Sequence, residues 1–302
     1  MASDSSQSGF KAVGIGEVLW DLLPAGRQLG GAPANFAYHA QALGAAATVI
    51  SRVGNDADGR DILASFEQMG LSRDLLQVDR SAPTGTVSVK LSGDGIPEFT
   101  IHENVAWDRI SVSADAMAAV RECDVVCFGS LAQRERTSRD SLQQLVAVAP
   151  PASLRVFDIN LRQHFYSREV IQRSLQLANV FKLNDQELPV LASMFGLKGN
   201  PQKQISKLAE DFGLSVIALT RGAQGSLLFQ RGRWSDCSSR PVEVKDTVGA
   251  GDSFTAALAM GLLIGMDLDE INRAASEVAR YVCSCHGATP PMPDSLRGLF
   301  AV

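Results

Sequence analysis

One aspartate beside two glycines carries the most chemistry in this sequence, in the stretch Asp246-Thr247-Val248-Gly249-Ala250-Gly251-Asp252-Ser253-Phe254. Pro241-Val242-Glu243-Val244 ahead of it alternates like a short strand, and the apolar run Thr255 to Ile264 reads as a buried helix. The glycines therefore stand where an extended segment turns into a helix N-terminus. The first amides there have no partner within the helix, and the helix dipole is positive. Gly249 and Gly251 carry no Cβ, so an anion can approach the main chain closely. Such a cradle suits a phosphate, or charge that develops during phosphoryl transfer. Asp252 is out of place in it unless the carboxylate has a task. One task is to take a proton from a hydroxyl attacking phosphorus; the plain alternative is that Asp252 caps the helix. Gly-Ala-Gly-Asp by itself leaves both readings open.

A second stretch, Gly30-Gly31-Ala32-Pro33-Ala34-Asn35-Phe36 through Gly44, has a proline suited to a first helical turn and a glycine suited to a helix end. The diglycine lets something small lie against the backbone, and Asn35 offers both donor and acceptor atoms near the helix start. A neutral polyhydroxyl ligand needs such uncharged hydrogen bonds; a plain loop with a helix-start asparagine is the alternative. His39, one turn further on, is read as packing.

Further along, Arg155 to Arg162 reads as a buried strand ending in charge, with Asp158, Asn160 and Arg162 where ligands of open α/β sheets bind. A salt-bridged surface loop would look the same by spacing. Asn184 and Glu187 lie on one face of a starting helix, either as a capping pair or turned toward a ligand. Thr220-Arg221-Gly222-Ala223-Gln224-Gly225 joins two strand-like runs, as an ordinary hairpin also would.

The elements that must position these groups alternate. Ala12 to Leu19 reads as the first strand and Ala47 to Gly54 as the next, and helix and strand signals then alternate at short spacing from Asp124 onward. That order favours a parallel sheet covered on both faces. Thr84 to Trp107 departs from it: Thr86 to Leu91 alternates, Gly93-Asp94-Gly95 signals a hairpin, and Glu98 to Ile101 returns. An exposed hairpin of this kind looks like a lid, with Phe99, Ile101 and Asn104 as candidates for its inner face. Gly14-x-Gly16 lacks the third glycine of a dinucleotide fingerprint. Asp56 and Asp58 are read as helix-capping residues rather than metal ligands.

The Asp246–Phe254 nonamer resembles the C-terminal signature of the ribokinase/PfkB-type carbohydrate kinases, and Gly30 to Asn35 resembles their N-terminal motif in its fructokinase-like form. The resemblance spans the chain after residue 10, with the motifs in the family's order. It implies a three-layer α/β/α fold with a central, mostly parallel sheet and a small β lid. It implies an ATP-dependent sugar kinase, with fructose the first substrate and 2-keto-3-deoxygluconate, ribose or a nucleoside the alternatives; a non-catalytic sugar-binding relative would be expected to lack the aspartate or the glycines. On this resemblance Asp252 is the base and Gly249, Ala250 and Gly251 supply the anion hole. Asp21, Gly30, Gly31 and Asn35 contact sugar, and Asn160 and Arg162 point into the cleft. Asn184 and Glu187 face the magnesium–phosphate region, Glu187 through water; Thr220, Gly222 and Gly225 meet the nucleotide phosphates; Asn272 and Ala275 close the adenine pocket. Potassium beside Asp246 and Val248 is a further implication.

Composition agrees with such a protein and excludes others. The 302 residues carry a formal net charge of -5, with 45% hydrophobic and 20% charged residues. The acidic balance without a long basic run argues against nucleic acid. The polar residues 1–9 do not read as a secretory signal, and Phe254 to Met266 is too short to span a membrane. Five cysteines, an odd number without zinc-site spacing, suit a reducing cytoplasm. The expected organisation is one domain over 10–302, with lid segments at about 18–32 and 84–107, a disordered tail at 1–9, and a homodimer paired through the lid strands.

Overall fold

The computed structural model describes residues 9–23, 26–91 and 97–301, apart from the side chains of residues 89–99. The expected turn Gly93-Asp94-Gly95 and nearly all of the tail lie outside the described residues. In chain order the strands are β1 (Lys11–Ile15), β2 (Leu19–Leu23), β3 (Gly26–Gly30), β4 (Ala46–Gly54), β5 (Leu76–Asp79), β6 (Gly85–Leu91), β7 (Pro97–Ile101), β8 (Val125–Phe128), β9 (Leu154–Asp158), β10 (Val180–Asn184), β11 (Val216–Thr220), β12 (Ser226–Gln230) and β13 (Arg233–Cys237). The α-helices are α1 (Ala32–Ala42), α2 (Ala57–Gln68), α3 (Ala114–Arg121), α4 (Arg136–Ala147), α5 (Arg168–Leu177), α6 (Glu187–Phe195), α7 (Pro201–Phe212), α8 (Ala250–Ile264), α9 (Leu268–Cys283) and α10 (Asp294–Arg297).

Nine strands form one sheet in the order β13-β12-β11-β10-β9-β8-β1-β4-β5, parallel from β11 through β5 and antiparallel at the β12–β13 edge. Strand residues alternate between two apolar layers, as the period of two requires. Val126, Phe128, Phe157, Phe181 and Ile217 enter one layer; Val125, Cys127, Val156, Val180 and Val216 enter the other. Phe128, Phe157 and Phe181 stack across β8, β9 and β10 with ring centroids 5.3 and 5.6 Å apart. Each such pair is worth about 0.5–1.5 kcal/mol beyond its buried area. Helices α1, α8 and α9 pack in the second layer, α4, α5 and α7 in the first, giving three layers.

The chain departs from its expected course at two places. Ala12 to Leu19 is not one strand: β1 stops at Ile15 and Leu19 opens β2 in a different sheet. Gly16 makes the break at φ 147, where a Cβ would press on Pro33 Cγ at 2.8 Å. Pro241 to Val244 forms no strand either. Pro241 cannot donate to a ladder, and Val244 stays 58% exposed, so the alternation has no partner to pair with.

The second sheet has the order β3-β2-β6-β7. Its first pair leaves the carboxyl end of β1 and returns into α1, so both connections open onto the carboxyl edge of the large sheet. Because β1 has β4 on one side and β8 on the other, that edge is also where the strand order reverses.

Candidate active site

At this edge the two most specific motifs meet. Asn35 Nδ2 donates to Asp252 Oδ2 at 2.8 Å, a contact across 217 positions of sequence. Asp252 lies in the first turn of α8, whose N-cap is Gly249 with no side-chain cap. Its carboxylate is turned to α1 rather than to the amides of its own helix. Gly249 has φ 77, and a Cβ there would collide with the Ala288 carbonyl oxygen. His39 donates through Nε2 to that same oxygen at 2.8 Å. Burial pushes the His39 pKa down to about 4, so the ring is neutral at pH 7 and braces the loop behind the glycine.

Three carboxyl groups here titrate high. Burial raises Asp252 to about 6, helped by the charge of Asp158 and opposed by Asn35, Lys182 and Arg162. Burial raises Glu17 to about 7; its own amide, Arg162 and the Ala32 amide oppose this, and Asp252 adds to it. Burial raises Asp21 to about 6, with Arg162 opposing and Asp246 adding. Arg162 thus acts on all three carboxylates while its own side chain is largely exposed. A carboxylate at about 6 is largely ionised at neutral pH yet basic enough to accept a hydroxyl proton.

The remaining motif residues divide. Gly31, at φ 116, passes so close to the Glu17 carbonyl that a Cβ would collide with it, and a Cβ on Gly30 would strike Asp21 Oδ2. Asn160 has φ 41 and is buried, with Nδ2 lacking a partner among the described residues. Asn184 Oδ1 accepts the amides of Gln186 and Glu187, each at 2.9 Å. Glu187 returns the bond to the Asn184 amide at 2.8 Å and takes the Leu161 amide at 2.9 Å. Thr220 ends β11, beside Asn184 at the end of β10, and Gly222 and Gly225 shape the turn into β12. Asp246 accepts the amides of Val248 at 3.0 Å and Gly287 at 3.1 Å, tying the glycine loop to the segment after α9.

Two expected positions face elsewhere. Asn272 is fully buried and bonded to Ser226 and Ser235, and Ala275 is fully buried in the apolar layer under α8 and α9. Neither side chain has surface to offer an adenine. Ile101 packs into the apolar layer with Val87, Val105 and Trp107. Asn104 is exposed at φ 57, and the side chain of Phe99 lies outside the described residues.

Comparison with known proteins decides what this arrangement belongs to. Residues 25–295 match the pfkB family carbohydrate kinase. The chain belongs to this family. It is 30% identical to the fructokinase of Escherichia coli over 268 residues, 85% of this chain and 86% of that protein. It is 29% identical to the uncharacterized sugar kinase PH1459 of Pyrococcus horikoshii over 302 aligned residues, 93% of each. The crystal structure of PH1459 superposes with a TM-score of 0.83, covering 96% of this chain and 100% of that one at 28% identity. A fructokinase from Xylella fastidiosa with bound ATP shares the fold, with a TM-score of 0.82 at 22% identity and coverage of 96% and 97%.

The pfkB kinase has further buried groups at its site that the motifs did not single out. Glu17 is 4% exposed, two residues past β1, and its Oε2 lacks a partner among the described residues. Lys182 is 3% exposed inside β10 and pairs with Asp158 at 3.1 Å. The one trace each left in the sequence is a charge inside an otherwise apolar run, Ala12 to Leu19 for Glu17 and Val180 to Leu183 for Lys182.

Proposed function

We propose that this carbohydrate kinase transfers the γ-phosphate of ATP to a hydroxymethyl group of D-fructose, with Asp252 as the base. The observation that carries this is the buried Asp252 carboxylate, held by Asn35 at the first turn of α8 beside the amides of Ala250 and Gly251. As the hydroxyl oxygen attacks, Asp252 takes its proton, and the amides that follow Gly249 hold the charge on the transferring group. Asn35, Asp21, the glycine pair and Asn160 offer uncharged or acidic partners to sugar hydroxyls. Carboxylates outnumber the one guanidinium acting on Glu17, Asp21 and Asp252, which suits a neutral sugar better than a sugar acid. The fructokinase relative at 30% identity over most of both chains supports fructose within that class.

Magnesium would enter with the nucleotide and neutralise phosphate charge there. Both oxygens of Glu187 already hold main-chain amides, so this carboxylate suits a water on the ion rather than the ion itself. Any potassium would rest on main-chain oxygens, since the Asp246 carboxylate is engaged with two amides.

The test is ADP release with Mg-ATP over a panel of fructose, ribose, 2-keto-3-deoxygluconate, aminoimidazole riboside and adenosine. Fructose is expected to give the highest kcat/KM. Preference for the sugar acid or a nucleoside would overturn the substrate and leave the chemistry standing, whereas binding without ADP formation would overturn both.

A further inference from the structure

Lys182 sits directly behind the glycine loop, and nothing in the reaction just described uses it. It shares the face of β10 that looks toward α8, in register with Asp158 of β9. Its Nζ donates to Asp158 Oδ1 at 3.1 Å. The other oxygen, Asp158 Oδ2, accepts the Thr255 hydroxyl at 2.7 Å, and that hydroxyl lies 2.9 Å from the carbonyl oxygen of Gly251. A Cβ built on Gly251 would stand 2.9 Å from Lys182 Nζ. A side chain at 251 would therefore displace the ammonium behind the loop.

We propose that Lys182 is a positioning residue for phosphoryl transfer: through Asp158 and Thr255 it locks the first turn of α8, and so keeps Asp252 in its catalytic pose and ionised. Stability alone is a poor reason for such a group. Burying an ion pair costs several kcal/mol per ion, and apolar replacements of similar volume are often as stable. The place is what matters: the ammonium lies behind amides that must meet developing negative charge, where a fixed positive charge acts in a medium of low polarisability.

The surrounding charges fit this role. Burial disfavours the charged form of Lys182, but Asp158, Glu187 and Asp252 outweigh it and its pKa is raised, so it remains an ammonium. The charged groups that act on Asp252 are Asp158 of β9, Arg162 after β9 and Lys182 of β10, and α1 contributes the neutral Asn35; Asp252 in turn acts on Glu17 just past β1 and on Cys127 of β8. Within this set, Lys182 and Asp158 push in opposite directions.

That opposition supplies the test, which rests on Asp252 being the base. The Asp252 carboxyl is titrated by carbon-13 NMR in the free full-length enzyme, and the acid limb of kcat/KM is measured with the sugar preferred in the panel. Lys182→Met is expected to move both upward by ~0.5–1 pH unit, since an opposite charge nearby shifts a carboxylate by about a unit or more. Asp158→Asn should move them downward. Lys182→Arg should keep the wild-type limb. The double variant K182M/D158N removes both charges, so its limb should return near wild type while kcat stays ~10-fold low, ~1.4 kcal/mol of lost transition-state stabilisation, because the lock is gone. If Lys182→Met does not fold, the double variant carries the test alone. The proposal is overturned if the Asp252 titration stays put in Lys182→Met, or if the double variant keeps wild-type kcat. Asp252→Asn run alongside separates the two ideas: full activity there overturns the base and leaves the NMR shifts as they are.

Discussion

On the β1–α1 side of the cleft, Asn35 reaches across the molecule to another functional side chain; on the β10–β11 side, the polar side chains are spent on the scaffold. Asn35 donates to a residue 217 positions away, while Glu17 Oε2, just past β1, is buried without a partner among the described residues. Across the cleft, Asn184 and Glu187 satisfy four main-chain amide bonds between them, and Asn272 is held by two serines. A buried polar atom left unpaired costs about 1–3 kcal/mol, so evolution tolerates it where a ligand completes the bond. Under the proposed function, the β1–α1 side is the one a sugar would complete, and the other uses similar residue types to hold the backbone on which a nucleotide would lie.

The largest effect is expected at Asp252. Asp252→Asn keeps the contact with Asn35 available and removes the proton acceptor, so kcat should fall ~10²–10⁴-fold with the fold intact by circular dichroism. Near-wild-type kcat with unaltered sugar binding would falsify the assignment of the β1–α1 side to chemistry. Asn35→Ala should come next. Asn35 lowers the Asp252 pKa, so its loss raises a value already near 6. The base works only when ionised, and its contribution is lost as pH falls through that pKa. The acid limb of kcat/KM should therefore start at higher pH than in the wild type, and the KM for sugar should rise. An unmoved limb would detach Asn35 from the base.

Glu17 should show its role through stability. Its native pKa, about 7, lies above the ordinary value of 4.5. A carboxyl raised in this way favours the folded state while protonated, and that advantage disappears as pH rises through about 7. Glu17→Gln should therefore raise the thermal midpoint of the sugar-free enzyme at pH 8 and leave it little changed at pH 5. The KM for sugar should increase at both. A lower midpoint at pH 8 would mean that the charge is compensated and Glu17 belongs to the scaffold.

Much of this was legible in the sequence, and for identifiable reasons. The strand–helix alternation, the glycine loop before α8 and the Gly30–Asn35 turn each depend on local residue type, so spacing exposes them. The pairing of Asn35 with Asp252 needed the fold to bring two distant turns together, and only the family resemblance hinted at it. Glu17 and Lys182 were hidden because a charge beside or within an apolar run carries no motif of its own; its meaning is the opposite charge or helix end that tertiary packing sets against it. Asn272 misled in the other direction. A polar residue on a helix near the end of the chain gives no sign that two serines of β12 and β13 will enclose it. The break at Gly16 was also invisible, because Gly14 to Leu19 can continue a strand by residue type and the turn away rests on the positive φ of Gly16.

The smallest expected effect lies on the β10–β11 side. Asn184→Ala removes the oxygen that accepts the amides of Gln186 and Glu187 at the start of α6. Loss of such a cap should lower stability by ~0.5–2 kcal/mol, read as a lower urea midpoint at unchanged slope. Because that oxygen is turned to the backbone, kcat at saturating Mg-ATP should change by less than ~3-fold, an effect of under ~1 kcal/mol on the barrier. If instead kcat falls ~10-fold or more while stability holds, Asn184 faces the nucleotide directly. The two sides of the cleft would then differ only in which ligand completes them.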